Sequence, residues 1–345
     1  MERRNFLKTS AFAGLGTMLT AQGLHGQPAT EPASVKIGII GLDTSHSPAF
    51  AKLLNSGQEP AYSGYRVVAA YPHGSLDIQE CLDRIPGYQK TFEETGIEIT
   101  SSVEELVKKS DVVLLETCDG RRHLEQAIPV IRAKKPVFID KPIAASLVDT
   151  IAIFELAAKN KVSVFSSSSL RYMSSVKEVV SGKIGTVIGA DTYSPATIEK
   201  THPDLFWYGI HGVEPLYAVM GTGCKSITRA FMEGADVCVG LWNDGRIGSF
   251  RGTRQGKSDF GGYAYGDKGS KTLGPWEGYK PLLDEIIQFF KTGKVPVPSN
   301  ETIEIFAFME AAELSKNNGG KSVLIGEIMD KAREEALKNV SRFKI

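Results

Sequence analysis

The fold is indicated by the stretch Val35-Lys36-Ile37-Gly38-Ile39-Ile40-Gly41-Leu42-Asp43-Thr44-Ser45-His46. Its first six residues are mainly apolar and predict a buried strand, and Gly41 then predicts a tight turn into a helix. Similar short apolar runs follow, each separated from the next by a helical period, at residues 65–71, 97–100, 111–115, 136–139 and 162–165. Strands that alternate with helices in this way predict a doubly wound parallel sheet, which binds ligands beyond the carboxyl ends of its strands.

The second half of the chain has a different pattern. A strand is predicted over residues 187–193 and a helix that carries His211 over 206–220. Further strands are predicted close together between residues 224 and 273, and Asp244-Gly245 between two alternating runs is a strong hairpin signal. Three helices are predicted near the end of the chain, over residues 279–291, 301–317 and 327–338. We therefore expect a Rossmann-like α/β domain over 35–166, followed by an α+β domain over 167–345 with an open, mainly antiparallel sheet.

The composition excludes several classes of protein. The 345 residues include 40 Lys and Arg and 40 Asp and Glu, so the formal net charge is zero. This balance argues against a nucleic-acid partner, and no apolar run is long enough for stable insertion into a membrane. The four cysteines, at 81, 118, 224 and 238, show neither CxxC spacing nor the density of a disulfide scaffold. Cys118 follows the fourth strand, where we expect a small buried residue.

The first 34 residues are expected to direct export. Arg3-Arg4-Asn5-Phe6-Leu7-Lys8 precedes a short apolar stretch over residues 11–19, and small and polar residues follow. This order resembles a twin-arginine signal peptide, which implies a periplasmic protein. The alternative is a basic amphipathic first helix of the fold.

Three stretches resemble the Gfo/Idh/MocA family of nicotinamide-dependent oxidoreductases. Phe138-Ile139-Asp140-Lys141-Pro142 looks like the family's E-K-P motif with Asp in place of Glu. Gly209 and His211-Gly212-Val213-Glu214 are similar to its G-x-H-x-x-D helix. The run from Tyr279 looks like its closing helices. The resemblance extends from Val35 to the C-terminus.

The resemblance implies hydride transfer between a nicotinamide dinucleotide and a hydroxyl-bearing carbon of a sugar or polyol. Lys141 and His211 would be catalytic, and Arg171, Tyr172 and Glu214 would lie on the substrate side. The implied cofactor is NAD, with NADP left open, and the open sheet implies a homo-oligomer. The cofactor contacts implied are Gly41, Leu42, Asp43, Thr44, Ser45, His46, Thr117, Cys118, Asp119, His123, Asp140 and Lys141.

The glycine loop departs from the family pattern. A G-x-G-x-x-G loop lets its backbone approach a pyrophosphate, but Asp43 stands at its second glycine position and His46 at its third. A carboxylate at a helix N-terminus competes with phosphate for the same positive end of the helix. We expect Asp43 instead to cap the first helix. The second strand ends in Tyr71-Pro72-His73, without the usual acidic residue.

Imidazoles and carboxylates are predicted together near the crevice. Their residue types suit a divalent metal, an anion or a sugar, but no HxH or HxxxH spacing is present, so we predict no metal site. Two further functions stay open: redox-assisted glycoside or ether cleavage with tightly bound NAD, and non-catalytic carbohydrate binding. The side chains concerned are His46, His73, His123, His211, Asp43, Glu116, Asp119 and Asp140.

Overall fold

The computed structural model describes residues 34–343, so the predicted export signal lies almost entirely outside the described residues. The first sheet is parallel throughout, in the order β3-β2-β1-β4-β5-β6. This order confirms the predicted doubly wound fold, because it reverses direction beside β1. The strands are β1 (Val35–Ile40), β2 (Tyr65–Tyr71), β3 (Glu98–Ile99), β4 (Val112–Leu115), β5 (Val137–Ile139) and β6 (Val164–Phe165).

Helices cover both faces of this sheet. In β4, Val112 and Leu114 join one apolar cluster while Val113 and Leu115 join another, as expected for a strand buried on both sides. The side chain of Ser102 accepts a hydrogen bond from the amide of Glu105 and so caps the helix Val103–Lys109. The helices are α1 (His46–Asn55), α2 (Gln79–Glu94), α3 (Val103–Lys109), α4 (Gly120–Arg132) and α5 (Leu147–Asn160).

The second sheet has the order β12-β11-β7-β10-β9-β8-β13. Its neighbouring strands are antiparallel except β7 and β10, so the predicted open, mainly antiparallel sheet is confirmed. Gly245 has a φ of +88° in the turn between β9 and β10, which confirms the predicted hairpin. The strands are β7 (Val187–Pro195), β8 (Cys224–Met232), β9 (Ala235–Trp242), β10 (Ile247–Thr253), β11 (Gly261–Gly266), β12 (Gly269–Leu273) and β13 (Val323–Leu324).

The remaining helices join the two sheets. The predicted helix over 206–220 begins with a π-helical turn, Leu205–Gly209. Helix α6 and strand β13 were not predicted from the sequence. No helix within residues 34–343 is long and apolar enough to span a membrane. The helices are α6 (Ser174–Val180), α7 (Ile210–Met220), α8 (Lys280–Thr292), α9 (Ser299–Asn317) and α10 (Ile325–Val340), with short 3₁₀ turns at Pro60–Tyr62 and Ser169–Tyr172.

Helix α8 returns from the second half of the chain to cover the first sheet. Its Leu283 and Ile286 belong to the same buried cluster as Ile39 of β1. The ring of Phe289 packs 5.0 Å from that of Phe165 at the end of β6. The C-terminal part of the chain therefore supplies a share of the parallel sheet's apolar cover.

We expect Leu283→Ala to lower the free energy of unfolding by about 2–5 kcal/mol, because the side chain of Leu283, on α8, is fully buried. Guanidinium denaturation of wild type and variant measures the loss. Leu337→Ala on α10 is the control, because that side chain is 43% exposed and its removal should change stability by less than about 1 kcal/mol. Equal losses in the two variants would contradict the docking of α8.

Candidate active site

A cavity of about 460 Å³ lies at the carboxyl edge of the parallel sheet. Thr44 and Ser45 line it from the start of α1, Lys141 from the loop after β5, and His211 from α7. Its volume is within the range of small-molecule sites. Two domains thus contribute to one cavity, as is common for ligand sites in α/β proteins.

His211 lies on α7 and lines the cavity. Its Nδ1 lies 2.8 Å from the hydroxyl of Ser168, which in turn accepts a hydrogen bond from the amide of Leu170. Burial lowers the pKa of His211 well below its usual value, and the positive charges of Lys141 and His46 lower it further. The imidazole is therefore neutral at pH 7 and able to accept a proton.

Lys141 lies in the loop after β5, next to Asp140. Its backbone amide donates to Oδ1 of Asp140 at 2.8 Å, which fixes the loop at the sheet edge. Its Nζ lies 6.0 Å from the ring centre of Tyr208 and forms no ion pair or hydrogen bond within residues 34–343. The ammonium group is thus available to a ligand in the cavity.

Aromatic rings form one wall of the cavity. Tyr208 lies 4.9 Å from the ring of His211, and Phe260, Trp276 and Tyr279 continue the series with centre distances of 6.4, 6.1 and 5.2 Å. The indole N–H of Trp276 donates to Ser169. Flat apolar faces beside hydrogen-bonding groups suit a compact ring compound that carries hydroxyls.

Three titratable side chains meet beneath the cavity at the ends of β4 and β5. Nδ1 of His46 lies 2.7 Å from Oδ2 of Asp140 and 3.7 Å from Oε2 of Glu116. All three side chains are buried, and neither oxygen of Glu116 has a hydrogen-bond partner among the described residues. Burial, together with the charge of Asp140, raises the pKa of Glu116. Burial alone would lower the pKa of His46, but Asp140 raises it to about 9.

Asp43 joins three loops and does not cap α1, so the predicted capping role is wrong. Its carboxylate accepts hydrogen bonds from the amides of Ser75 at 2.9 Å and Cys118 at 3.1 Å. The N-cap of α1 is Ser45, which forms no side-chain capping bond. Burial raises the pKa of Asp43 to about 6, although the two amides oppose this. The neighbouring loops offer amides that need acceptors, and these amides hold the carboxylate.

Cys118 differs from the sequence expectation. It is only partly buried, lines the cavity and forms a disulfide bond with Cys81 of α2. The spacing of 37 residues between the two cysteines contains no local pairing signal. The bond connects α2 with the loop that follows β4.

The other predicted site residues lie around the cavity without lining it. His123 is buried, with Nε2 2.6 Å from the carbonyl of Thr117 and Nδ1 3.2 Å from that of Ile143, so it holds two loops together. Arg171 donates to Glu214 at 2.8 Å. His73 is exposed. Gly41, Leu42, Asp43, Thr117, Asp119, His123, Asp140, Arg171, Tyr172 and Glu214 are absent from the lining.

Several residues that line the cavity were not predicted from the sequence. Trp207 and Tyr208 precede His211 by four and three positions, so helical spacing was a usable signal for them. Phe260, Trp276 and Tyr279 come from loops or a helix start, where periodicity carries no such information. Glu80 and Arg84 enter from α2.

Residues 35–168 match the sequence profile of a family described as "Oxidoreductase family, NAD-binding Rossmann fold", abbreviated GFO_IDH_MocA. This match contains the glycine turn, β4, β5 and Lys141. This part of the chain is similar to the Gfo/Idh/MocA family.

The chain is also similar to individual dehydrogenases. It is 23% identical over 208 residues to inositol 2-dehydrogenase of Salmonella typhimurium, which covers 57% of this chain and 58% of that protein. Among solved structures, it is similar to a probable dehydrogenase from Thermotoga maritima, with a TM-score of 0.69, 19% identity, and 85% and 100% of the two chains covered. Scyllo-inositol dehydrogenase from Lactobacillus casei, solved with NAD(H) and scyllo-inositol, has a TM-score of 0.66 at 16% identity, with 85% and 99% covered. These structures share the fold.

The carboxyl edge of the first sheet fits the phosphate and nicotinamide end of a dinucleotide. Gly41 has a φ of +91°, and a Cβ there would lie 2.5 Å from the amide nitrogen of Thr117, so only glycine permits this turn. Thr44 and Ser45 bring the start of α1 to the cavity, where a helix N-terminus favours phosphate.

At the part of this edge where the adenosine of a dinucleotide would lie, side chains of the protein connect neighbouring loops. Asp43 binds the loop after β2 to the loop after β4, and the hydroxyl of Ser75 donates to Asp119 at 3.0 Å. The Cys81–Cys118 disulfide spans the same gap. A dinucleotide that lies along the whole edge therefore requires these two loops to separate.

We expect Asp43→Ala to lower the free energy of unfolding by about 1–3 kcal/mol, because it leaves two amides without their acceptor. Hydrogen exchange distinguishes a bridge from a cap. The amides of Ser75 and Cys118 should exchange faster, while those in the first turn of α1 should not.

Ser45→Ala serves as the control for Asp43→Ala, because the Ser45 side chain forms no capping bond and its loss should change stability by less than about 0.5 kcal/mol. Faster exchange confined to the first turn of α1 in Asp43→Ala would restore the capping role.

Proposed function

We propose that this protein is an NAD(H)-dependent dehydrogenase that acts on a hydroxyl-bearing carbon of a sugar, cyclitol or related polyol. The single observation that carries the proposal is the cavity itself. It places an unpaired lysine and a neutral histidine beside aromatic rings at the carboxyl edge of the sheet. The named inositol dehydrogenases among its relatives support this substrate class.

The proton chemistry follows from the surroundings of His211. When Nδ1–H donates to the hydroxyl of Ser168, Nε2 keeps its lone pair and accepts the proton of the substrate hydroxyl. The ammonium of Lys141 donates to the same oxygen and stabilises the negative charge that develops there. When bound, the nicotinamide supplies the hydride acceptor. The Gly41 turn and the residues Thr44 and Ser45 would hold the phosphates.

The aromatic wall supplies orientation. Tyr208 lies close to both Lys141 and His211, so a ring compound stacked on this wall presents its edge to both catalytic groups. The wall also excludes water from one side of the reacting carbon, which strengthens the interaction with Lys141.

We expect His211→Asn to lower kcat by about 10²–10⁴-fold, because the proton acceptor is lost. NADH formation from NAD and a panel of inositols and sugars, followed by absorbance, measures the rate. Lys141→Ala should cause a loss of similar size, and Lys257→Ala, an exposed lysine, should not. Melting temperatures of all three variants should stay close to that of wild type.

The pH profile gives a further check on His211. Protonation removes the acceptor, and burial lowers the pKa, so wild-type kcat/KM should stay constant as the pH falls from 7.5 to 6.5. A fall of kcat/KM to half its value near pH 6.5 would indicate an ordinary exposed histidine.

If no nucleotide is released from the purified protein and none binds, the dehydrogenase proposal fails and carbohydrate binding without catalysis becomes the better explanation.

We propose further that the protein is exported by the twin-arginine route to the periplasm. The order of residues 3–8 supports this route. The Cys81–Cys118 disulfide supports an oxidising compartment, because such bonds rarely persist in the cytosol. A carrier of folded proteins also suits an enzyme that acquires its nucleotide before export.

Replacing Arg3-Arg4 with Lys-Lys should leave the precursor in the cytoplasm, because the twin-arginine carrier reads the arginine pair. Cell fractionation and immunoblotting measure the distribution. A general secretory signal needs only positive charge, so normal export of the double-lysine variant would contradict this route.

A further inference from the structure

We propose that His46, Glu116 and Asp140 form a binding site for one divalent transition-metal ion beneath the cavity. The three residues come from different elements: the start of α1, the end of β4 and the loop after β5. The fold brings them together because the carboxyl ends of neighbouring parallel strands share one edge.

The distances fit a common ion. Nδ1 of His46 lies 2.7 Å from Asp140 and 3.7 Å from Glu116, and one donor atom from each residue lies within 4.8 Å of the other two. Metal bonds to imidazole nitrogen and carboxylate oxygen are about 2.0–2.2 Å long, which separates neighbouring ligand atoms by roughly 3–3.6 Å. Small side-chain adjustments would therefore complete the coordination.

Glu116 provides the independent evidence for a ligand. Its carboxyl group is fully buried, and neither oxygen has a hydrogen-bond partner among residues 34–343. The imidazole of His46 lies 3.7 Å away, beyond hydrogen-bond distance, so neither oxygen has a direct partner in the described part of the chain, and a bound metal ion would supply one. Asp140, by contrast, already has the Lys141 amide on Oδ1 and His46 on Oδ2.

The charge balance favours a doubly charged ion. His46 must release its proton when Nδ1 binds the ion, because Asp140 raises its pKa in the ion-free protein. Two carboxylates and the resulting neutral imidazole then neutralise a 2+ charge, which matters in a buried site. This ligand set suits zinc, manganese or ferrous iron. Three protein ligands also leave a position open, and His46 itself lines the cavity, so the ion would meet a ligand oxygen there.

A second group with ligand chemistry is less suitable. Asp43, Cys81 and Cys118 also lie close together, but the two sulfurs are joined in the disulfide and Asp43 holds two backbone amides. Metal binding by thiolates would require that bond to be reduced. The site at His46 requires no covalent change.

The test uses the full chain after removal of metal with a chelator. Titration calorimetry with Mn²⁺ and with Zn²⁺, and electron paramagnetic resonance of Mn²⁺, measure affinity and stoichiometry without nucleotide or substrate. We expect one ion per chain. Glu116→Gln should weaken binding by at least about 100-fold, because removal even of an outer partner costs 10–100-fold.

Glu80→Gln is the matched control, because Glu80 lines the same cavity but lies outside the three-residue site. Its metal affinity should equal that of wild type. Circular dichroism shows whether Glu116→Gln is folded, and Asp140→Asn is a second variant expected to lose affinity. The proposal is overturned if wild type binds neither ion at millimolar concentration, or if Glu116→Gln binds as wild type does. Neither result changes the expected outcome of the NADH assay, so failure of the metal site and failure of the proposed function can be told apart.

Discussion

The carboxyl ends of β1, β4 and β5 meet at one edge of a sheet that is buried on both faces, and this convergence places most of the protein's unusual chemistry in one small volume. Loops that leave such an edge must satisfy their backbone groups there. Glu116 and Asp140 follow adjacent strands, so both carboxyl groups are buried side by side. The imidazole of His46 lies against both of them because α1 starts above the same edge.

Each buried acid at this edge has a different partner. Asp43 holds two amides from neighbouring loops, and Asp140 holds an imidazole and an amide. Glu116 has neither. In a G-x-G-x-x-G loop the second and third glycines leave bare backbone for phosphate. Here side chains occupy those two positions and tie the edge to its surroundings, while Lys141 and His211 line the cavity.

The second half of the chain completes the site and also supports the first sheet. Helix α7 carries His211 to the cavity, and Ser168, just beyond β6, fixes that ring. Helix α8 then packs on the parallel sheet through Leu283 and Phe289. Since the cavity lies between these contributions, its shape depends on the packing of both sheets.

The sequence by itself determined most strands and helices, the hairpin at Asp244-Gly245 and the positions of Lys141 and His211. Alternation of apolar and polar residues reports which side chains are buried, and motifs report their place along the chain. Neither reports which partner a buried group meets. Only the tertiary structure decided which groups Asp43 binds and that Cys81 pairs with Cys118. It alone also decided that α8 packs on the first sheet and that His46 meets Glu116 and Asp140. Each joins residues that are distant in sequence, and such contacts leave no period or spacing in the chain.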